Sequence, residues 1–122
     1  MIYTSYFGKI KKFSDVYAPI SVARWNPKGY KGETFKELAP SDSLLRWWRS
    51  SAQNKEAERI YTERYKNEVL SCHAPRDVYQ AIFNKANGKI PVLVCFEKDD
   101  FCHRHLIAEW FKENGLSCEE MI

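Results

Sequence analysis

The feature that most constrains the fold is an apolar run at residues 90–96, which a polar cluster follows at once. The next nine residues hold three acids, a lysine, two histidines, an arginine and a cysteine. A short, continuously apolar run is typical of a central strand in a parallel sheet, and amphipathic helical spacing resumes at residues 102–114. Open α/β sheets bind ligands where such a strand ends and a helix begins. The sequence therefore predicts a site in this region.

The size of the chain, 122 residues, predicts a single α/β domain over residues 1–122. Hydrophobic residues make up 44% and charged residues 29%, which is typical of a globular chain with a core. No apolar run reaches the roughly 18 residues of a membrane span, and the N-terminus lacks the basic stretch of a secretory signal. We therefore expect a soluble, cytoplasmic protein with no membrane partner, while its oligomeric state stays open.

Turn residues and hydrophobic spacing predict the elements along the chain. Strands are expected at residues 2–7, 19–24, 90–96 and, shorter, within 116–122. Helices are expected after the N-cap candidates Ser41 or Asp42 and Asn54, from residue 74, and from residue 102. Residues 25–40 show no clear pattern, and a loop of that length is uncommon, so this segment either carries function or contains a short helix.

This order of elements predicts a small three-layer, Rossmann-like α/β domain with a mainly parallel sheet of three to four strands. Right-handed crossovers place the carboxyl ends of parallel strands on one edge of the sheet. Groups at three strand ends should therefore meet there: Ser5 and Tyr6, Arg24 and Trp25, Cys95 and Glu97.

Arg24 and Arg104 are the predicted clamp for an anion, because a guanidinium binds phosphate or carboxylate through two parallel hydrogen bonds. The start of the helix at residue 102 adds unpaired N–H groups that favour the same ligand. Trp25 is the predicted wall on which a base stacks. The remaining predicted ligand contacts are Tyr6, Lys31 and Cys95. A structural ion pair between Arg104 and an acid of residues 97–100 is the alternative.

Three residues are catalytic candidates if the protein is an enzyme. Glu97 can act as a general base or nucleophile. A helix N-terminus lowers the pKa of a thiol, so Cys102 is a candidate thiolate, and His103 can move protons near neutral pH. The alternatives are an ion pair for Glu97 and a helix-capping or solvent-facing imidazole for His103.

The four cysteines of the chain are Cys72, Cys95, Cys102 and Cys118. Their even number allows two disulfides, but a cytoplasmic setting favours free thiols. Pairing of Cys95 with Cys102 would indicate a third class of function, a thiol redox protein. We expect no metal and no cofactor, because the spacing C-x6-C-H-x-H matches no common zinc motif and histidines two apart on a helix point to different sides.

Several stretches resemble the domain-of-unknown-function family 488 (DUF488), above all the Cys-Phe-Glu-Lys stretch at 95–98 and the Phe-Cys-His-Arg stretch at 101–104. The similarity covers nearly the whole chain and implies a Rossmann-like α/β fold and a bacterial or phage origin, without an established activity. The family's motif residues correspond to Arg24, Cys95, Glu97, Cys102, His103 and Arg104. Asp99 and Asp100 stand where the family commonly has proline or glycine, and they add negative charge beside the predicted anion site.

The predicted function is binding of a nucleotide, a nucleoside, another small anionic ligand or a nucleic-acid fragment at the carboxyl edge of the sheet. A hydrolase or transferase acting at a glycosidic bond is its sharpest form. The alternative is a non-catalytic binding module, such as a phage or mobile-element accessory that contacts a host protein. Its surface would include Arg46, Trp48 and Arg49, which belong to a run of basic and aromatic residues.

Overall fold

The computed structural model describes residues 1–96 and 101–121. In this part of the chain the strands are β1 (Ile2–Tyr6), β2 (Tyr17–Ser21), β3 (Glu33–Thr34), β4 (Ile90–Cys95) and β5 (Cys118–Glu120). The α-helices are α1 (Asp42–Ser50), α2 (Lys55–Glu68), α3 (Pro75–Ala86) and α4 (His103–Glu113). Short 3-10 helices cover Phe7–Lys12, Lys36–Leu38 and Leu70–Cys72.

The five strands form one sheet in the order β3-β2-β4-β1-β5, and every neighbouring pair is parallel. The predicted α/β, Rossmann-like class is confirmed, but the sheet has five strands rather than three to four. The unexpected strand is β3, which lies within residues 25–40. Strand β2 also begins and ends earlier than the predicted 19–24, since its ladder stops at Ser21 although Val22 is still buried.

Local capping explains where the helices begin. The Ser41 side chain accepts a hydrogen bond at 3.1 Å from the backbone N–H three residues on, and Asn54 does the same for α2 at 2.9 Å. Helix α3 begins with Pro75, as proline at a first helical position allows. These starts confirm the sequence predictions. None of the described helices is both long enough and apolar enough to cross a membrane.

The sheet is covered differently on its two faces. One face carries the main core, in which strand residues such as Ile20 and Leu93 pack with residues from all four helices. The other face is covered by the 3-10 helix Phe7–Lys12 and by aromatic rings. There the Phe7 ring centroid lies 4.8 Å from that of Phe96 and 5.3 Å from that of Tyr30. Successive residues of β4 thus face different layers.

Candidate functional site

A cleft of about 510 Å³ opens at the carboxyl edge of the sheet, beside the ends of β2 and β4. The chain that leaves β2 runs to β3 at one edge, whereas the chain that leaves β4 returns through α4 to β5 at the other edge. Because these connections diverge, a crevice remains between the two strand ends, which is where open α/β sheets bind ligands. Helices α1 and α2 supply the outer wall.

Five of the predicted site residues line this cleft: Arg24, Trp25, Cys95, Cys102 and His103. They come from three parts of the chain, namely the segment after β2, the end of β4 and the start of α4. Parallel pairing of β2 with β4 aligns the strand ends and so brings these distant side chains to one place.

Arg24 and Trp25 form a cationic and aromatic corner of the cleft. The guanidinium carbon of Arg24 lies 5.4 Å from the centroid of the Trp25 ring, and Trp25 is 55% exposed. Lys36 Nζ lies 5.9 Å from the same centroid and donates a hydrogen bond to the Arg24 carbonyl oxygen. Within the described residues, the buried Arg24 Nε has no hydrogen-bond partner. An anionic oxygen in the cleft would supply the missing acceptor.

Sequence reasoning missed part of the outer wall. Glu58 lines the cleft from α2, although it was not among the predicted site residues. Its spacing of three residues from the buried Tyr61 was the available signal, because residues i and i+3 share a helix face. Arg49 also lines the cleft, and Gln53 does so with a φ of 52°, an uncommon conformation outside glycine.

Cys95 and Cys102 are joined by a disulfide, and their Cα atoms lie 7.3 Å apart. The expectation of free thiols is therefore wrong for this pair, because the end of β4 and the start of α4 lie side by side. It is confirmed for the exposed Cys72 and the buried Cys118. Burial raises the pKa of the Cys118 thiol to about 12, which keeps it protonated.

His103 is a buried, neutral imidazole with a fixed tautomer. Its Nε2 lies 2.7 Å from the carbonyl oxygen of Val22, so Nε2 carries the proton and Nδ1 keeps the lone pair. Nδ1 lies 3.8 Å from Cys102 Sγ. Burial is the main cause that lowers the pKa of His103 to about 4; the nearby charge of Arg104 acts in the same direction, and the hydrogen bond to Val22 opposes both. The alternative of a solvent-facing imidazole is therefore wrong, because His103 is buried.

Arg104 does not line the cleft and is not brought together with Arg24. Its side chain is fully buried, and Nε and Nη2 donate to the two carboxylate oxygens of Glu120 at 3.1 and 2.9 Å. Its Nη1 lies 3.2 Å from Cys95 Sγ. The alternative of a structural ion pair describes this geometry, with Glu120 of β5 as a partner that the sequence analysis did not name.

Two further predicted residues, Tyr6 and Lys31, also lie outside the cleft. Tyr6 is half-buried at the end of β1, in register with Cys95. Lys31 is exposed and borders a second cleft of about 620 Å³ beside the 3-10 helix Phe7–Lys12. Glu97 falls outside the described residues, so its catalytic role stays a prediction.

The structure brings together three possible metal ligands that the sequence spacing did not predict to form a site. One ligand atom each from Cys95, Cys102 and His103 lies within 4.8 Å of the other two. His105, which we had considered with them, is half-exposed on α4, and its Nδ1 lies 4.0 Å from a Glu120 oxygen. Among the described residues, the group of possible metal ligands therefore has three members rather than four.

Comparison with known proteins identifies the family. A family model named DUF488-N3a and described as the active DUF488-N3 subclade matches residues 2–115. Comparison with curated proteins and with solved structures gave no match. The matched range contains all the cleft residues named above. Because the match covers nearly the whole chain and agrees with the resemblance of the cysteine and histidine stretches, the chain belongs to the DUF488 family.

Proposed function

We propose that the protein binds a small anionic, nucleotide-like ligand in the cleft between the ends of β2 and β4. The observation that carries this proposal is the buried Arg24 Nε, which has no acceptor among the described residues and lies beside the exposed Trp25 ring. A phosphate oxygen can accept a hydrogen bond from Arg24 Nε, and a planar base can stack on the Trp25 ring. The cleft volume of about 510 Å³ lies in the usual range of small-molecule pockets.

The charges of the described walls support an anion. Arg24 and Arg49 line the cleft as cations, and Lys36 lies against Trp25. Among the described lining residues Glu58 is the carboxylate. It is suited to accept a hydrogen bond from a sugar hydroxyl or a base amino group, while the cations attract phosphate. A nucleoside phosphate combines all these groups.

The sharper form of the proposal is a hydrolase or transferase that acts at a glycosidic bond. The description of the matched subclade as active supports turnover. Cleavage of a glycosidic bond uses carboxyl groups as acid, base or nucleophile. Glu58 and Glu97 are the candidates, and Glu58→Gln and Glu97→Gln should each lower the release of free base from nucleoside substrates. The role proposed for the Cys102 thiolate requires reduction of the Cys95–Cys102 bond.

Calorimetric titration of the purified chain with nucleosides, nucleotides and inorganic phosphate tests ligand binding. Arg24→Gln should weaken nucleotide binding by about tenfold or more and leave nucleoside binding nearly unchanged, because a hydrogen bond to a charged group contributes about 1.5–3 kcal/mol. Trp25→Ala should weaken both, because stacking of one base contributes about 1–3 kcal/mol. If a folded protein gives no heat with any member of the panel, the proposal is wrong.

Helix α1 offers a matched control. Arg49 lines the cleft, whereas Arg46, one turn earlier, has a side chain 79% exposed and pairs with Asp42 at 2.7 Å. Arg49→Gln should weaken nucleotide binding and Arg46→Gln should not. Equal effects of both variants would instead favour the alternative, a binding module that contacts a host protein through the α1 surface.

Thiol–disulfide exchange is the second candidate, and the Cys95–Cys102 bond at the cleft favours it. In the cytoplasm, where we propose that the protein acts, a partner thiolate would attack one sulfur and the other would leave as a thiolate. Equilibration with dithiol and disulfide buffers, followed by thiol counting, should show two thiols in the oxidised chain and four in the reduced chain. If Cys95 and Cys102 both stay free after mild oxidation, this candidate is removed.

A further inference from the structure

We propose that the reduced chain has a metal site in the cleft, in which Cys95 Sγ, Cys102 Sγ and His103 Nδ1 bind one divalent cation such as Zn²⁺. Ligand atoms of these three residues already lie within 4.8 Å of one another. Two thiolates and an imidazole form a donor set that zinc binds readily. This inference does not depend on which ligand occupies the rest of the cleft.

The backbone spacing suits two thiolates that share a cation. The Cα atoms of Cys95 and Cys102 are 7.3 Å apart, beyond the usual disulfide range of about 4.4–6.8 Å. Two sulfurs bound to one zinc at about 2.3 Å lie roughly 3.8 Å apart in tetrahedral geometry. The end of β4 and the start of α4 therefore leave room for the sulfurs to separate around an ion without a large movement of either element.

The hydrogen bond of His103 leaves its other ring nitrogen free to bind the ion. Nε2 donates to the Val22 carbonyl oxygen at 2.7 Å, so the lone pair lies on Nδ1, which is 3.8 Å from Cys102 Sγ. Metal-bound histidines almost always donate their second ring N–H to a carbonyl or carboxylate, which fixes the ring. Here that second contact is already in place.

The surrounding charges also suit the ion. Two thiolates balance the two charges of the cation, and Arg104 Nη1, 3.2 Å from Cys95 Sγ, can donate a hydrogen bond to one of them. Glu120 in turn balances the charge of Arg104. Charge-assisted hydrogen bonds of this kind stabilise a thiolate over a thiol. Arg104 thus favours loss of the Cys95 thiol proton when the metal binds.

The three donors leave one coordination position toward the cleft, because Cys95, Cys102 and His103 all line it. Three protein ligands with an open fourth position are the arrangement of catalytic rather than structural zinc sites. The open position would hold water or an oxygen of a bound ligand, in the same space that Arg24 and Glu58 border. The ion would then act on whatever the cleft binds.

The Cys95–Cys102 bond must be reduced before the metal can bind. A dithiol reductant supplies two electrons and two protons, is itself oxidised to a disulfide, and converts the Cys95–Cys102 bond into two thiols. Binding of the cation then releases these two protons to solvent and forms two metal–sulfur bonds and one metal–nitrogen bond.

Titration of the full chain with Co²⁺, after reduction by a phosphine, tests the proposal through the visible and near-ultraviolet absorption of cobalt–thiolate bonds. One equivalent should bind, and one equivalent of Zn²⁺ should displace it. The chain oxidised with diamide should give no such bands. Cys95→Ser, Cys102→Ser and His103→Asn should each weaken binding by at least tenfold, whereas Cys72→Ser and His105→Asn are controls that should leave it unchanged.

X-ray absorption of the zinc-loaded wild-type chain gives a second measurement that does not depend on whether the variants fold. It should show two sulfur neighbours and at least one nitrogen neighbour. A reduced chain without cobalt–thiolate bands, or a zinc ion without sulfur neighbours, would overturn the proposal. Metal binding without nucleotide binding would overturn only the proposed ligand, so the two failures are distinguishable.

Discussion

Two arginines of the family motif lie near the end of β4, Arg24 on the cleft side and Arg104 on the interior side. They differ in whether the fold satisfies their hydrogen-bond donors. The buried guanidinium of Arg104 has all three nitrogens within hydrogen-bond distance of Glu120 or Cys95. Arg24 Nε is also buried, but it has no partner among the described residues. Burial alone therefore does not indicate function. Hydrogen-bonding capacity that the fold leaves unused is the better indicator.

On the interior side, the carboxylate of Glu120 connects three elements, β5, α4 and β1. Glu120 of β5 accepts from Arg104 of α4 and from Thr4 Oγ1 of β1, the latter at 2.5 Å. Burial by itself would raise the pKa of Glu120, but the hydrogen bonds from Arg104 and Thr4 outweigh it and lower the pKa. The ion pair thus persists at neutral pH and joins the edge strand to the helix that carries His103.

Replacing Arg104 by methionine should have the largest effect on stability and so gives the strongest test of the comparison. The variant removes every partner contact of a fully buried cation and leaves Glu120, which is partly exposed, without its ion pair. We expect a loss of about 3 kcal/mol in the free energy of unfolding, measured by urea denaturation of the oxidised chain. A loss smaller than that of Arg24→Met would contradict the distinction between the two arginines.

The pH dependence of stability tests His103, which lies between the two sides. Burial places the pKa of folded His103 at about 4, below the 6.5 of an unfolded histidine, so the unfolded chain takes up a proton first as the pH falls. Stability should therefore be complete above about pH 6.5 and fall by roughly 3 kcal/mol by pH 4. His103→Asn should remove most of this slope. His105→Asn should retain most of it, because partial burial lowers the pKa of the half-exposed His105 by less.

Replacing Arg24 by methionine should have the smallest effect on stability. The substitution removes an N–H that is buried and finds no acceptor in the described part of the chain. The free energy of unfolding should therefore stay within about 1 kcal/mol of the wild type or rise slightly. The same variant should lose nucleotide affinity, a trade of stability against function that is common at binding sites. A loss of several kcal/mol would show that Arg24 is structural.

Local signals in the sequence were sufficient for most of the fold. The continuous apolar run gives β4, and the N-caps Ser41 and Asn54 give the starts of two helices, because these features depend on neighbouring residues alone. Strand β3 was not predicted, because a strand of two residues is too short to show alternation. The end of β2 was misplaced, because Val22 remains apolar and buried beyond the ladder.

The site could be predicted only where strand order determines it. Arg24, Trp25 and Cys95 meet because parallel strands end at one edge, a rule that holds whatever the side chains are. The partner of Arg104 lies sixteen residues later and depends on β5 pairing with β1, which no local pattern indicates. Glu58 reaches the cleft through the way α2 packs beside the sheet edge, which is also a tertiary property.

The alternation of side chains along β4 limits how the length of this strand can change in evolution. Cys95 faces Arg104 and the main core, whereas Phe96, the next residue, packs on Phe7 at the opposite face. Inserting or deleting one residue within the strand would exchange these two side chains. The sulfur would then lose its contacts with Cys102 and Arg104, and a phenyl ring would face the main core in its place. Length variation among homologues is therefore expected in the connections between elements and not inside β4.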